Sequence, residues 1–137
     1  MNLSFMADAI VVIHLGYVTF VVAGLFVILL GGVLRRRFIR NFWFRAIHLA
    51  MILAVVFEAL SGITCPLTVW EYELRLAAGQ TDVTNVPFVA RLIHRVMFFD
   101  FPPIVFITGY CLFGLAVIAS WLLLPPQLPW KQKRKCP

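Results

Sequence analysis

Apolar residues run almost unbroken from Ala9 to Leu34, again from Phe42 to Ile63, and once more from Pro102 to Leu124. Each stretch is long enough for a transmembrane helix, which needs about 20 apolar residues to cross a ~30 Å hydrocarbon core. The pattern predicts an all-α membrane protein with three transmembrane helices, over about 7–34, 42–63 and 102–124, in one integral membrane domain covering residues 1–129. The alternative is a fourth crossing over Pro87–Phe101. That piece is short and carries Arg91, His94 and Arg95, and crossing there would put the two basic clusters on opposite sides of the membrane.

Between the second and last spans, residues 64–101 break the apolar pattern and predict an amphipathic helical cap. Pro66 suits a first helical turn, Thr68 with Glu71 three positions on fits a capping box, and Gly79 is a natural stop. Within that helix Leu67, Trp70, Leu74 and Ala77 share one side, and Glu71 and Arg75 stand one turn apart. Its expected posture is flat on the membrane, apolar side inward. A second amphipathic piece after Pro87 is expected to turn Phe88, Val89, Leu92, Ile93 and Val96 inward, with Arg91 and Arg95 outward.

Composition sharpens this. Of 137 residues, 62% are apolar and 13% charged, so no soluble domain is expected. The net charge of +6 does not point to nucleic acid, because nine of the twelve basic residues fall in clusters beside spans. Arg35, Arg36, Arg37, Arg40 and Arg45 form one cluster; Lys131, Lys133, Arg134 and Lys135, in the basic tail 130–137, form the other. Basic loops stay cytoplasmic, which places the N-terminus and the cap outside and the C-terminus in the cytoplasm. Trp43 and Trp130 then mark the inner boundary, and Trp70 and Tyr72 the outer one. Small residues spaced along the spans, such as Ala46, Ala50 and Ala54, are expected at helix–helix contacts.

Ionisable residues inside spans are costly and mark candidate chemistry. His14 lies on the order of 10 Å below the outer end of the first span, and Glu58 about 7 Å below the outer end of the second. They share a layer and are candidate partners, with His94, Arg91 or Arg95 joining from above; the plainer reading is that the pair only locks two spans together. Three histidines raise haem b. His14 and His48 are expected at depths roughly 15 Å apart in a ~30 Å core and cannot share one iron, so His14 with His94 is the one bis-histidine option. A quinone headgroup, held by His14 and Glu58, is the other cofactor considered. His48 is expected to hydrogen-bond a carbonyl or a lipid headgroup. Cys65, at a helix start, is expected to be a packed small residue, although such a position can also activate a thiol. No paired thiols, nucleotide loop or zinc spacing is present.

The segments HLGYVTFVVAG (14–24), NFWFRAIHL (41–49), EALSGITCPLTVWEYELRLAAGQ (58–80) and FVARLIHRVMFFDFPP (88–103) resemble a family of small bacterial inner-membrane proteins catalogued only as a domain of unknown function. The motifs are HLxxVxF, FRxxHL and CPLTxWExxLR, the last formed by Cys65, Pro66, Leu67, Thr68, Trp70, Glu71, Leu74 and Arg75. The resemblance reaches about Pro126 and implies a bacterial inner (cytoplasmic) membrane protein. It singles out His14, Arg45, His48, Glu58, Cys65, Glu71, Arg75 and His94, and it assigns no activity.

Three functions follow as expectations. Size and small-residue faces point to a non-catalytic accessory or assembly subunit, whose partners beyond the lipid bilayer are a larger respiratory or photosynthetic complex or further copies of itself. The alternative is a redox protein holding haem b or a quinone with His14, Glu58 and His94. An enzyme with Cys65 as nucleophile, His94 as base and Glu71 as orienting group ranks last.

Overall fold

A computed structural model describes residues 2–128; the tail expected at 130–137, with Trp130 and Cys136, lies outside the described residues. Helix α1 spans Leu3–Val33, α2 Phe42–Ser61, α3 Pro66–Ala77, α4 Phe88–Met97 and α5 Pro103–Leu123, with a 3-10 turn at Arg37–Arg40. Helices α1, α2 and α5 are long and apolar enough to cross a membrane. The protein is an all-α membrane protein in which α3 and α4 form a helical cap between the second and last spans.

At 1.5 Å per residue the 31 residues of α1 reach about 46 Å, well beyond a ~30 Å core. One face of it is buried at seven-residue steps, through Ala7, His14, Val21 and Ile28. Val21 and Leu25 meet Ile52 of α2 and Val117 of α5 in the apolar core, and the Tyr17 hydroxyl donates to the Met51 carbonyl at 2.6 Å.

Glycine is needed where helices touch most closely. A Cβ at Gly24 would stand 2.5 Å from Cδ2 of His48. His48 is fully buried in the room this leaves, and its Nε2 lies 2.7 Å from the Val21 carbonyl oxygen. That carbonyl is a partner of the kind expected for this histidine.

Helix α3 departs from the expected pattern in three ways. First, no capping box forms. Pro66 opens the helix directly after Cys65, which puts Thr68 inside the helix with its hydroxyl buried and unpaired. Second, the buried residues of α3 are the polar Thr68 and Glu71. Trp70 is 56% exposed and lines a shallow groove with Ile10, Leu74 and Ala77. Third, the helix does not lie apart as a flat roof: it runs antiparallel along the first turns of α1, with Arg75 bonded to Asp8 and Gln80 to Ser4. The physical reason is that α1 overshoots the core and offers polar partners there, so the polar face of α3 gains more from burial than its apolar face does.

Helix α4 follows expectation at Phe88, which is buried, and departs from it elsewhere: Arg91 turns inward to Glu71, and Val96 is 71% exposed. Of the small residues expected at helix contacts, Gly24 and Ser120 are buried, whereas Gly16, Ala50, Ala54, Gly109 and Ala116 are exposed; Gly31 and Gly114 are buried as well.

Candidate functional site

Two polar centres lie within the helices, one at each end. At the cap end, Glu71 is 3% exposed and accepts from two arginines. Its Oε1 takes the Nε–H of Arg75 at 3.0 Å, and its Oε2 an Nη2–H of Arg91 at 2.6 Å. Arg75 also donates to Asp8 at 2.9 Å and to the Gln80 side chain at 3.3 Å. Two carboxylates and two guanidinium groups thus tie α1, α3 and α4 together with no net charge. Burial works against the Arg75 charge, but the hydrogen bonds it donates to Glu71 and Asp8, with their negative charges, outweigh it and raise its pKa above the ordinary guanidinium value.

Beside this network the His14 ring stacks on Phe88, with centroids 4.3 Å apart and planes 18° from parallel. The Arg91 guanidinium stands 5.8 Å from the centre of the same Phe88 ring. Nδ1 of His14 and Oγ1 of Thr68 are both buried and make no hydrogen bond. Buried polar atoms are nearly always paired, so these orphans mark hydrogen-bonding capacity that is not used among the described residues, as do Nε of Arg45, Nδ1 of His48 and Nε1 of Trp121.

Among the described residues, His14, Glu58 and His94 make no hydrogen bonds with one another. Glu58 lies against the Cys65 thiol. Nδ1 of His94 pairs with Asp100 Oδ1 at 2.8 Å, where both side chains are more than half exposed. Cys65, Glu71 and His94 therefore have three separate sets of partners, Glu58 for the first, the two arginines for the second and Asp100 for the third.

The surroundings of Cys65 disfavour its thiolate. The N–H groups of Leu67 and Thr68 favour its thiolate, but burial is the largest influence, and with the nearby Glu58 it pushes the thiol pKa up. Less thiolate at neutral pH means slower alkylation. In a Cys111→Ser, Cys136→Ser background, Cys65 is expected to react with iodoacetamide several-fold more slowly than a free cysteine at pH 8, gaining rate only as pH rises further. Faster reaction than free cysteine at pH 7.5 would contradict this.

The second centre, at the basic end, was not legible as such. Arg45 is fully buried between α2 and α5. Its Nη1 donates to the Leu124 carbonyl and its Nη2 to Ser120 Oγ at 3.1 Å, and the guanidinium stands 5.4 Å from the Trp121 ring centre. Along the chain it stands in the basic cluster with Arg35, Arg36, Arg37 and Arg40, which are exposed. The signal that could have separated it is the FRxxHL spacing, which puts Arg45 and His48 on one helix face, one turn apart and inside the second span. Asp8 carries no local signal of its role, because only its contact with Arg75, 67 positions away, gives it one; Arg91 joins the cap-end centre through Glu71, not through a His14–Glu58 pair.

No curated protein and no solved structure matches the chain. A family model covers residues 4–126, from the first turn of α1 to the segment beyond α5, including both polar centres. The chain therefore belongs to the family described as Protein of Unknown function (DUF2784).

Proposed function

We propose that the chain is a non-catalytic membrane subunit that packs through its spans against a larger membrane complex or against further copies of itself. The observation that carries this reading is the contrast among its small residues. A Cβ added at Gly24, Gly31, Gly32 or Gly114 would meet a neighbouring side chain, whereas at Gly16 and Gly109, both within spans, it would meet nothing within 4 Å. Around Gly16 on α1, Thr19 and Ala23 are exposed too, and Ala50 and Ala54 are exposed on α2. Lipid gives helices no hydrophobic drive to associate, so faces of small residues serve close backbone approach to another helix. The setting expected for such a subunit is a bacterial inner membrane, with the cap outside and the basic end in the cytoplasm.

Purification of the chain in mild detergent tests this reading. The expected result is co-purification with larger membrane subunits or migration as an oligomer, weakened at least five-fold by Gly16→Leu combined with Gly109→Leu. Neither change meets an internal neighbour, so the fold itself is spared. A monomer with no companions, indifferent to both substitutions, would overturn it.

The orphan atoms of His14 and Thr68 favour a second reading, a quinone headgroup at the cap end. A quinone carbonyl accepts hydrogen bonds of the kind that His14 and Thr68 could donate. Haem fits less well, since His94, the histidine expected to share its iron with His14, is engaged with Asp100. An organic extract with stoichiometric quinone, lost in His14→Ala, would support this second reading; an empty extract would sink it.

A further inference from the structure

Charge is unevenly shared between the two ends of this protein. The six acidic residues are Asp8, Glu58, Glu71, Glu73, Asp82 and Asp100, all at the cap end of the spans or in the cap itself. Arg35, Arg36, Arg37 and Arg40 are exposed at the other end. Among the described residues none of these four makes an ion pair. They are open to an anionic partner from outside this part of the chain.

Two of the four are built into a concavity. Arg37 and Arg40, with Phe38, Asn41, Trp43 and Gln127, border a hollow of about 450 Å³, within the usual range of small-ligand sites, about 300–1,000 Å³. Its walls are tied: the Gln127 N–H donates to the Arg40 carbonyl at 2.8 Å, Arg40 Nε to the Pro125 carbonyl at 3.4 Å, and the Trp43 N–H to Asn41 Oδ1 at 3.0 Å. The hollow also includes the N-terminal end of α2, where the helix dipole favours an anion.

Its depth in the membrane selects the source of that anion. Helix α1 ends at Val33, α2 begins at Phe42 and α5 ends at Leu123, so the hollow opens at the level where the spans leave the hydrocarbon. Phe38 and Trp43 flank it and are 67% and 66% exposed. Aromatic rings beside arginines suit a ligand that is anionic at one end and greasy at the other. A water-borne anion has no use for those rings.

We propose that this hollow binds the headgroup phosphate of an anionic glycerophospholipid. Arg37 and Arg40 contact the phosphate, and the acyl chains leave past Phe38 and Trp43. The site is independent of the proposed subunit role, since it sits on the basic loop and not on the small-residue faces.

Native mass spectrometry of the full chain in mild detergent, titrated with phosphatidylglycerol or phosphatidylcholine, tests the site. The expected result is one retained phosphatidylglycerol, bound at least ten-fold more tightly than phosphatidylcholine. Arg37→Gln with Arg40→Gln should remove that preference, and Arg35→Gln with Arg36→Gln, outside the hollow, should change it less than two-fold. Equal binding of the two lipids overturns the proposal. So does an equal loss in both double variants, which would mean diffuse attraction to the whole cluster. Displacement of the lipid by millimolar inorganic phosphate would also overturn it, by identifying the ligand as a free anion. An unchanged melting temperature in the Arg37, Arg40 double variant keeps loss of the lipid distinct from loss of the fold.

Discussion

Arg45→Leu is expected to destabilise the protein by about 3 kcal/mol, the sum of a lost charge-assisted hydrogen bond and acceptors left buried without donors. Arg45 is wholly buried, so neither water nor salt screens what it does. The Leu124 carbonyl it caps lies just past the end of α5, where carbonyls lack intrahelical partners and a cation favours the helix dipole. Arg45→Lys is expected to recover less than half of the loss. One ammonium on a flexible stem cannot reproduce the planar fork that reaches both Leu124 and Ser120. Unfolding in mild detergent, followed by heat or by added denaturing detergent, measures all three proteins. An Arg45→Leu variant as stable as the parent would mean that the guanidinium reaches the membrane surface instead of holding α5.

Glu71→Ala is expected to cost about 2–3 kcal/mol, near the low end for removing one partner from a buried ion pair because both arginines keep some contact with water. The loss is unequal. Arg75 retains Asp8 and Gln80, whereas Glu71 is the carboxylate that holds Arg91. The change should therefore free α4 before it disturbs α3. Hydrogen exchange over residues 88–97 should quicken at least ten-fold, with a smaller change over 66–77. Adding Arg91→Ala should restore part of the stability, since the second change removes the stranded charge. Uniform loosening of both helices, or no recovery in the double variant, would show that Arg91 is not held by Glu71.

These two residues illustrate what single-chain reading misses. Hydropathy scores positions one at a time, and on that scale Arg45 belongs with its arginine neighbours and Glu71 with the surface. Each is buried because a partner far along the chain is brought to it. Arg45 meets residues 75 and 79 positions away. Glu71 meets Arg91 twenty positions on, and its neighbour Arg75 meets Asp8 across 67 positions. The same limit explains the His14 layer. Depth along a span can be counted from its ends, but the rotation of one span against the next cannot, and rotation leaves Glu58 beside Cys65 and turns His14 toward Phe88.

The fold class, the three spans, the cap between the second and last of them and the Glu71–Arg75 pair within it can all be read along the chain. Each of these follows from local rules: apolar run length, the fixed geometry of proline, and the 3.6-residue period that brings positions four apart together. Which face of α3 is buried, that Arg45 clamps α5, and which small residues are spent on internal packing while others stay open emerge only when distant segments pack. The reason is that burial of a polar face depends on the polar groups set opposite it, and the long-range packing of α1 against α3 and of α2 against α5 supplies them.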